Sequence, residues 1–551
     1  LEPCVLHRLT SLRLHPIQLG WIVALFFTSI GNPALWKALT AAIEIHDPHS
    51  FFFFLSLPIF LFFAFNILLA PILLVPYLRK PLLALLIIIS AGCSYFMLHY
   101  NVLIDRSMVQ NFFETNQAEL ASYISLPLLL TIIGLGVLPA TMLALSKARN
   151  ASLSRTALWW TGNILVSAMT ISIISLGFYK DYASLLRNNR HIRDLVLPLN
   201  VVRHAHGYLT SNHDVKRQPL QRVGEDAIRL PRSPAARPKL VIVVVGETAR
   251  AQNFQINGYP RPTNPSLSRH SDIISFRNVS SCGTATAISV PCMFSRMGRS
   301  DYDGARAASE ENLLDILQRA GVEVLWRNNN NGGCKGVCDR IFTEDMPRME
   351  IAGDCPNKDG TCHDSVLLHG LQARIDTMHG DALVVLHQLG SHGPTYFERY
   401  PRHNRVFIPT CDSNQIHRCS REELTNTYDN TLLQTDEMLG RTIALLQHYS
   451  DERDVALVYV SDHGESLGER GMYLHGTPYA IAPREQTHIP MIIWLSPQFL
   501  ENAALDHACL RRNAMHNAYS HDNVYHSMLG LFDVQSRVYQ SALDAFAPCR
   551  T

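Results

Sequence analysis

Five apolar segments crowd into the first 180 residues of this chain, at roughly 17–36, 51–76, 82–104, 120–145 and 157–179. Each has about the 20 residues that a helix rising 1.5 Å per residue needs to cross a hydrocarbon core. A soluble core cannot absorb five such segments, and a cleaved leader would not be followed by four more spans. Asn32 and Pro33 in the first segment, and Pro58, Asn66 and Pro71 in the second, blur the boundaries. Such residues are tolerated where neighbouring helices satisfy the freed backbone. Trp21 and Trp159–Trp160 stand where aromatic anchors meet the interface.

Short loops set the orientation. Arg8 and Arg13 precede the first span, Arg79 and Lys80 follow the second, and Lys147, Arg149 and Arg155 follow the fourth. The opposite loops carry Lys37 and Arg106 beside Glu44, Asp47, Asp105 and Glu114. Positive charge remains on the cytoplasmic side, so everything after residue 180 is expected beyond the membrane. Cysteine usage points the same way. Of twelve cysteines, Cys4 and Cys93 lie in the apolar part and ten lie after residue 280. Eight form close pairs, Cys282/Cys292, Cys334/Cys338, Cys355/Cys362 and Cys411/Cys419, as disulfide-clamped surface loops in an oxidising compartment do. The competing reading is a structural zinc cluster, for which only Cys334/Cys338 has knuckle-like spacing. Cys509 and Cys549 have the option of pairing, which spacing does not decide.

Three regions follow: 1–180, a transmembrane domain of five helices; 181–238, a Pro-broken connector, expected to be partly membrane-associated, whose basic stretch Arg187–Arg193 reads equally as a headgroup contact or as an ordinary solvated face; and 239–551, a soluble domain. In the last, Lys239–Val245, Val322–Trp326, Leu383–Leu389, Val455–Val460 and Ile489–Trp494 are Val/Ile-rich runs without strict alternation, the pattern of strands buried on both faces. Glu310–Ala320, Asp364–Met378 and Arg421–Gln447 read as helices, the last opening on a capping box at Ser420-Arg421-Glu422-Glu423. The expected fold is therefore α/β and layered, with its site beyond the carboxyl ends of the strands. A formal net charge of +1 and no Lys/Arg stripe argue against nucleic acid as partner.

Reactive residues collect at those strand ends. Lys239–Val245 runs into Gly246-Glu247-Thr248, Leu383–Leu386 into His387-Gln388-Leu389-Gly390-Ser391-His392, and Val455–Val460 into Ser461-Asp462-His463-Gly464-Glu465; His475 follows. Carboxylate and imidazole suit a zinc ion in hydrolysis or phosphoryl transfer, and Glu247, Asp462 and His463 are the expected primary ligands. With 25 histidines in the chain, His387 or His475 taken singly is more simply a structural residue. The segment Ser281-Cys282-Gly283-Thr284-Ala285-Thr286-Ala287 offers a nucleophile: a helix starting near Thr286 would cradle a phosphate, and zinc at Thr286 Oγ1 would favour the alkoxide. The bland alternative is that Thr284 and Thr286 cap that helix. The segment by itself does not separate the two threonines.

Five motifs carry a resemblance: Val245-Gly246-Glu247-Thr248-Ala249-Arg250, Asn257-Gly258-Tyr259-Pro260-Arg261-Pro262-Thr263, Ser281–Thr286, Ser461-Asp462-His463-Gly464-Glu465-Ser466-Leu467-Gly468-Glu469 and Tyr473-Leu474-His475-Gly476. Together they resemble the lipid A phosphoethanolamine transferases, including the transferable polymyxin-resistance enzymes, within the alkaline phosphatase/sulfatase superfamily. The resemblance implies Thr286 as carrier of a phosphoethanolamine intermediate and as a metal contact, with Glu247, Asp462 and His463 as the remaining zinc ligands. It implies His392 and His475 beside the transferred phosphoryl group or an additional zinc, and Asn331, Lys335 and His387 in contact with substrate. It further implies phosphatidylethanolamine as donor, lipid A as acceptor, and residence in a bacterial inner membrane with the catalytic domain in the periplasm. A monomer is expected. The alternatives are a phosphatase, a sulfatase or a phosphoglycerol transferase on the same scaffold. Thr286 weakens the sulfatase version, whose formylglycine precursor is Cys or Ser. A receptor with a degenerate enzyme-like domain is a further alternative, weakened because every proposed ligand is present.

Overall fold

The computed structural model describes residues 13–114, 117–148, 153–215, 219–233, 236–349, 351, 355 and 361–551; Cys4, Arg8, Arg149 and Pro234 lie outside them. The chain divides into two compact units, one of Leu1–Val109 with Ile124–Gly207 and the other of Gln110–Tyr123 with Tyr208–Thr551.

Among the described residues of the first unit, four helices are long and apolar enough to cross a membrane: Pro48–Leu73, Arg79–His99, Leu126–Leu145 and Ser154–Gly177. The fifth segment is a bent pair, Pro16–Thr28 and Pro33–Ala42, inclined at 54°. Its break has a physical cause at Asn32, which caps no backbone amide but donates to the freed Phe27 carbonyl (2.7 Å) and the Leu197 carbonyl (2.8 Å). Its Oδ1 accepts from the Leu197 amide, so a bend away from water leaves these polar groups satisfied. The fourth segment starts later than residue 120, because Ser125 caps a new helix after the separate short helix Gln117–Tyr123. Leu19, Val23, Phe27, Phe65, Leu69 and Ile87 pack into the unit's interior. Leu25, Leu55, Leu85 and Ile173 point outward, as lipid-facing residues do.

The second unit is built on a seven-stranded sheet. Its strands are β1 (Lys239–Gly246), β2 (Ile274–Phe276), β3 (Glu323–Asn328), β4 (Phe342–Asp345), β5 (Ala382–His387), β6 (Asp454–Ser461) and β7 (Met491–Leu495). Their spatial order is β2-β7-β6-β1-β5-β3-β4. Strands β6, β1, β5, β3 and β4 run parallel, while β7 is antiparallel to both β6 and β2. Every residue of β1, β5 and β6 is buried, which explains their continuous apolar runs. The helix Arg421–His448 begins with a reciprocal capping box between Ser420 and Glu423. The expected helix over 364–378 is instead two short pieces, Asp364–Leu368 and Leu371–Ile375, parted at Gly370, whose φ of 63° no regular helix contains.

Disulfides join Cys282–Cys292, Cys334–Cys338, Cys355–Cys362, Cys411–Cys419 and Cys509–Cys549. With Cys334 and Cys338 oxidised to each other, no thiolate remains there for a zinc knuckle.

Candidate metal centre and nucleophile

Parallel neighbours in register bring Gly246 beside Ser461 and Val245 beside His387, so the three strands end at one level. Glu247 is the first residue past β1, and Asp462 and His463 are the first past β6. All three side chains are buried and offer ligand atoms within 4.8 Å of one another. Adjacent residues reach one point because Asp462 leaves the strand on a turn: its Oδ1 accepts from the His463 amide (2.7 Å) and the Thr248 amide (3.1 Å). Thr248 holds φ at 60°, an uncommon value for a β-branched residue, where backbone strain is stored beside the site. On the far side, Gly390 approaches so closely that a Cβ there would stand 2.5 Å from the Glu247 carbonyl oxygen.

The electrostatics of the cluster favour a cation. Burial, and then the neighbouring Asp462, push the Glu247 carboxyl up to about 7; burial does the same to Asp462. Burial, followed by His475, pushes His463 down to about 4, so its ring is neutral at pH 7. Its Nδ1 lies 2.9 Å from the Gly464 carbonyl oxygen. A carbonyl only accepts, so Nδ1 carries the hydrogen and Nε2 presents a lone pair to Glu247 Oε1 (3.4 Å) and Asp462 Oδ2 (3.3 Å). Asp462 Oδ2 is buried and finds no hydrogen-bond donor among the described residues. Two crowded carboxylates, one oriented imidazole lone pair and an orphaned carboxylate oxygen are a donor set that a metal ion fits.

The helix Thr286–Met293 sets Thr286 at its first position, and its N-cap, Ala285, has no side-chain cap. Neither threonine therefore serves as the cap. Thr284 Oγ1 donates to the Thr477 carbonyl (2.6 Å), whereas Thr286 Oγ1 lies 3.1 Å from Glu247 Oε2 and 3.4 Å from His463 Nε2. The Cys282–Cys292 disulfide spans this segment, and His521 Nδ1 accepts from the Cys282 amide while its Nε2 donates to the Ser461 carbonyl. The loop is thus tied to the end of β6.

A cleft opens over Thr286, and Asn331, Lys335, His392 and His475 line it. The His475 ring stands 4.4 Å from that of His463 and 5.2 Å from that of His392. Burial lowers both His392 and His475. His387 is elsewhere: the last residue of β5, it is buried with its ring against Trp326, its Nδ1 3.1 Å from Asn328 Oδ1. It does not line this cleft.

Three residues near the site, Asn330, Asp364 and Asn111, escaped the sequence reading, and Glu465 stood in its strand-end segment without a role. Asn330 donates to Glu247 Oε2 (2.7 Å). Asp364 accepts from the amides of Leu389 and Gly390, fixing the loop after β5. Glu465 lies with Oε2 3.3 Å from His475 Nδ1. Asn111, from the segment 110–123 that clusters with the second unit, lines the cleft. The run Asn328–Asn331 at a strand end was a visible signal for Asn330; Asp364 and Asn111 depend on long-range contacts.

Comparison with known proteins agrees with this architecture. Residues 239–534 match the family described as Sulfatase, and residues 61–213 match the family Phosphoethanolamine transferase EptA/EptB. The chain is 44% identical over 536 residues to phosphoethanolamine transferase EptA of Escherichia coli K12, covering 97% of each. It is 36% identical to phosphatidylethanolamine transferase Mcr-1 of Escherichia coli, covering 94% of this chain and 95% of the relative. The integral membrane lipooligosaccharide phosphoethanolamine transferase A of Neisseria meningitidis superposes with a TM-score of 0.93 at 38% identity, covering 98% of this chain and 99% of that one. This chain belongs to the lipid A phosphoethanolamine transferases, a family that includes the transferable polymyxin-resistance enzymes and is built on the alkaline phosphatase/sulfatase fold.

Proposed function

We propose that this chain transfers phosphoethanolamine from phosphatidylethanolamine to a phosphate of lipid A, with Thr286 carrying the group between donor and acceptor. The observation that supports this reading is the Thr286 hydroxyl at 3.1 Å from Glu247 Oε2, at the head of a helix and under an open cleft. Glu247, Asp462 and His463, with Thr286 Oγ1 beside them, would hold a zinc ion. Zinc, when bound, lowers the barrier to ionising a hydroxyl and offsets charge on phosphoryl oxygens.

In the first half-reaction Thr286 Oγ1 bonds to the donor phosphorus, and the phosphorus–oxygen bond to diacylglycerol breaks. The threonine gives up its proton, and the departing oxygen takes one from the cleft, where His392 and His475 are placed to relay it. In the second, a lipid A phosphate oxygen bonds to the same phosphorus, the Thr286 ester bond breaks and the hydroxyl is restored. Asn331 and Lys335 would hold the phosphate oxygens. The helix amides following Thr286 face developing negative charge, which the helix dipole favours.

Residues 1–180 would hold the enzyme in a bacterial inner membrane, with 181–238 as connector and 239–551 as the periplasmic catalytic domain. Because both substrates are lipids, an anchored site avoids lifting acyl chains into water. The enzyme, reconstituted with zinc and phosphatidylethanolamine, should acquire one phosphoethanolamine on the peptide containing Thr286, and lipid A should then gain it. Thr286→Ala should abolish both. An adduct on Thr284, or free phosphoethanolamine as the sole product with lipid A present, would overturn the reading, the latter in favour of a phosphatase.

A further inference from the structure

Residues 402–420 contain a loop whose outer side chains do not suit water. Val406 is 59% exposed and Ile408 is 69% exposed, although the loop is firmly held. The amides of Val406 and Phe407 both donate to Asn430 Oδ1 (3.1 and 2.8 Å), and Asn430 Nδ2 donates back to the Phe407 carbonyl (2.9 Å). The Phe407 ring lies inward, 4.1 Å from the Arg261 guanidinium, and the Cys411–Cys419 disulfide closes the following turn. This scaffold fixes two aliphatic side chains on the outside.

Two further features say what covers them. From 402 to 420, where the helix Arg421–His448 takes over, the chain carries Arg402, Arg405 and Arg418 against a single acid, Asp412, a formal excess of two positive charges (3 − 1). Asp412 is paired with Arg405 at 2.6 Å. The same loop is also tethered: Asn414 Nδ2 donates to the Ser122 carbonyl (2.9 Å) within the same compact unit. Ser122 precedes by four residues the first residue of Leu126–Leu145, a helix apolar enough to span a bilayer. Four residues reach at most about 14 Å, so the loop is leashed close to the headgroup layer, roughly 5–7 Å thick on each side of the core.

We infer that Val406 and Ile408 enter the lipid interface, with the arginines of the same loop available to anionic headgroups, so that this loop docks the catalytic unit on the bilayer. A protein partner fits less well, since two aliphatic side chains on a loop of net positive charge fall far short of the roughly 800 Å² per partner of a stable interface, whereas exposed apolar residues on a basic segment are what interfacial segments present to lipid. The inference rests on the membrane span and the loop geometry, and it holds whatever group the enzyme transfers.

The test uses the full chain in bilayer nanodiscs containing phosphatidylethanolamine and phosphatidylglycerol. Ile408→Trp adds an indole to the six native tryptophans, and Phe342→Trp, at a 53% exposed position on β4, serves as control. With lipids brominated near the top of the acyl chains, the difference emission at 408 should be blue-shifted and quenched by about twofold or more, with no change at 342. Val406→Trp reads the same depth should Ile408→Trp fold poorly. Quenching at 408 should strengthen with the phosphatidylglycerol fraction and weaken with salt, as a basic segment requires. Red, unquenched emission at both 406 and 408 would overturn the inference, as would quenching indifferent to lipid charge and salt.

Discussion

Asn330 Nδ2 donates to Glu247 Oε2 across 2.7 Å, and through it the end of β3 holds the carboxylate that faces Thr286. The amide is itself fixed, donating to the Gln388 carbonyl and accepting from the Gly332 amide. Removing an outer partner of a metal-binding carboxylate lets that carboxylate rotate. Asn330→Ala should lower zinc affinity and transfer rate by about 10- to 100-fold in a folded enzyme. Asn330→Asp, which sets a like charge beside Glu247, should be at least as damaging. Zinc titration against a competing chelator reads this directly; unchanged affinity in Asn330→Ala would remove the residue from the site's support.

Gly390→Ala should damage the site from the opposite side. The added Cβ would meet the Glu247 carbonyl at 2.5 Å and its Cβ and amide nitrogen at 3.0 Å, and the φ of 55° disfavours any L side chain. Strain of this kind costs about 1–3 kcal/mol. The expected result is a lower melting temperature together with weaker zinc binding. A variant that melts and binds zinc like the parent would show that this loop yields easily.

Zinc should stabilise the enzyme more at pH 8 than at pH 5. In the metal-free protein, burial raises Glu247 and Asp462 to about 7, above their unfolded values. Groups with raised folded pKa values contribute stability below the unfolded pKa and lose it as pH rises through about 7. Above that pH the metal-free site holds two ionised, buried carboxylates, which zinc neutralises; below it protons compete with zinc. Apparent zinc affinity should therefore fall by about tenfold or more per pH unit from 7 to 5. Differential scanning calorimetry with and without zinc measures the stability difference, and a zinc shift in melting temperature that grows on acidification would contradict it.

Disulfide removal should separate stability from catalysis. Cys282–Cys292 closes a loop with a sequence separation of 10 around Thr286, and Cys509–Cys549 closes one of 40 far along the chain. Each is expected to contribute about 2–4 kcal/mol. Replacing Cys282 and Cys292 by serine should also depress transfer below the melting temperature, because Thr286 loses its tether. Replacing Cys509 and Cys549 should lower melting with little effect on turnover at low temperature. Equal turnover losses in both double variants would show that the first bridge has no positioning role.

Local chemistry explains what could be read without coordinates. Apolar runs of membrane-spanning length, Val-rich strands buried on both faces and the Ser420–Glu423 cap are consequences of neighbouring residues, so their signals lie within single segments. The collection of Glu247, Asp462 and His463 at one sheet edge also followed, because parallel strands of similar length end at a common level. Where a polar residue interrupted a segment, the reading lost precision: Asn32 breaks the first span because it finds the Phe27 and Leu197 carbonyls, one of them 165 residues away.

The residues of the segment 281–287 leave Thr284 and Thr286 equivalent and only the family resemblance favours Thr286; the tertiary structure adds that Thr284 donates to the Thr477 carbonyl while Thr286 stands before Glu247. It alone took His387 away from the cleft to Asn328 and Trp326, and brought Asn330, Asp364 and Asn111 toward the site. Sequence determines which chemical groups exist and which element carries them. Which hydrogen bond each buried polar group makes is decided by packing, since a buried donor finds its acceptor among residues that can stand hundreds of positions away.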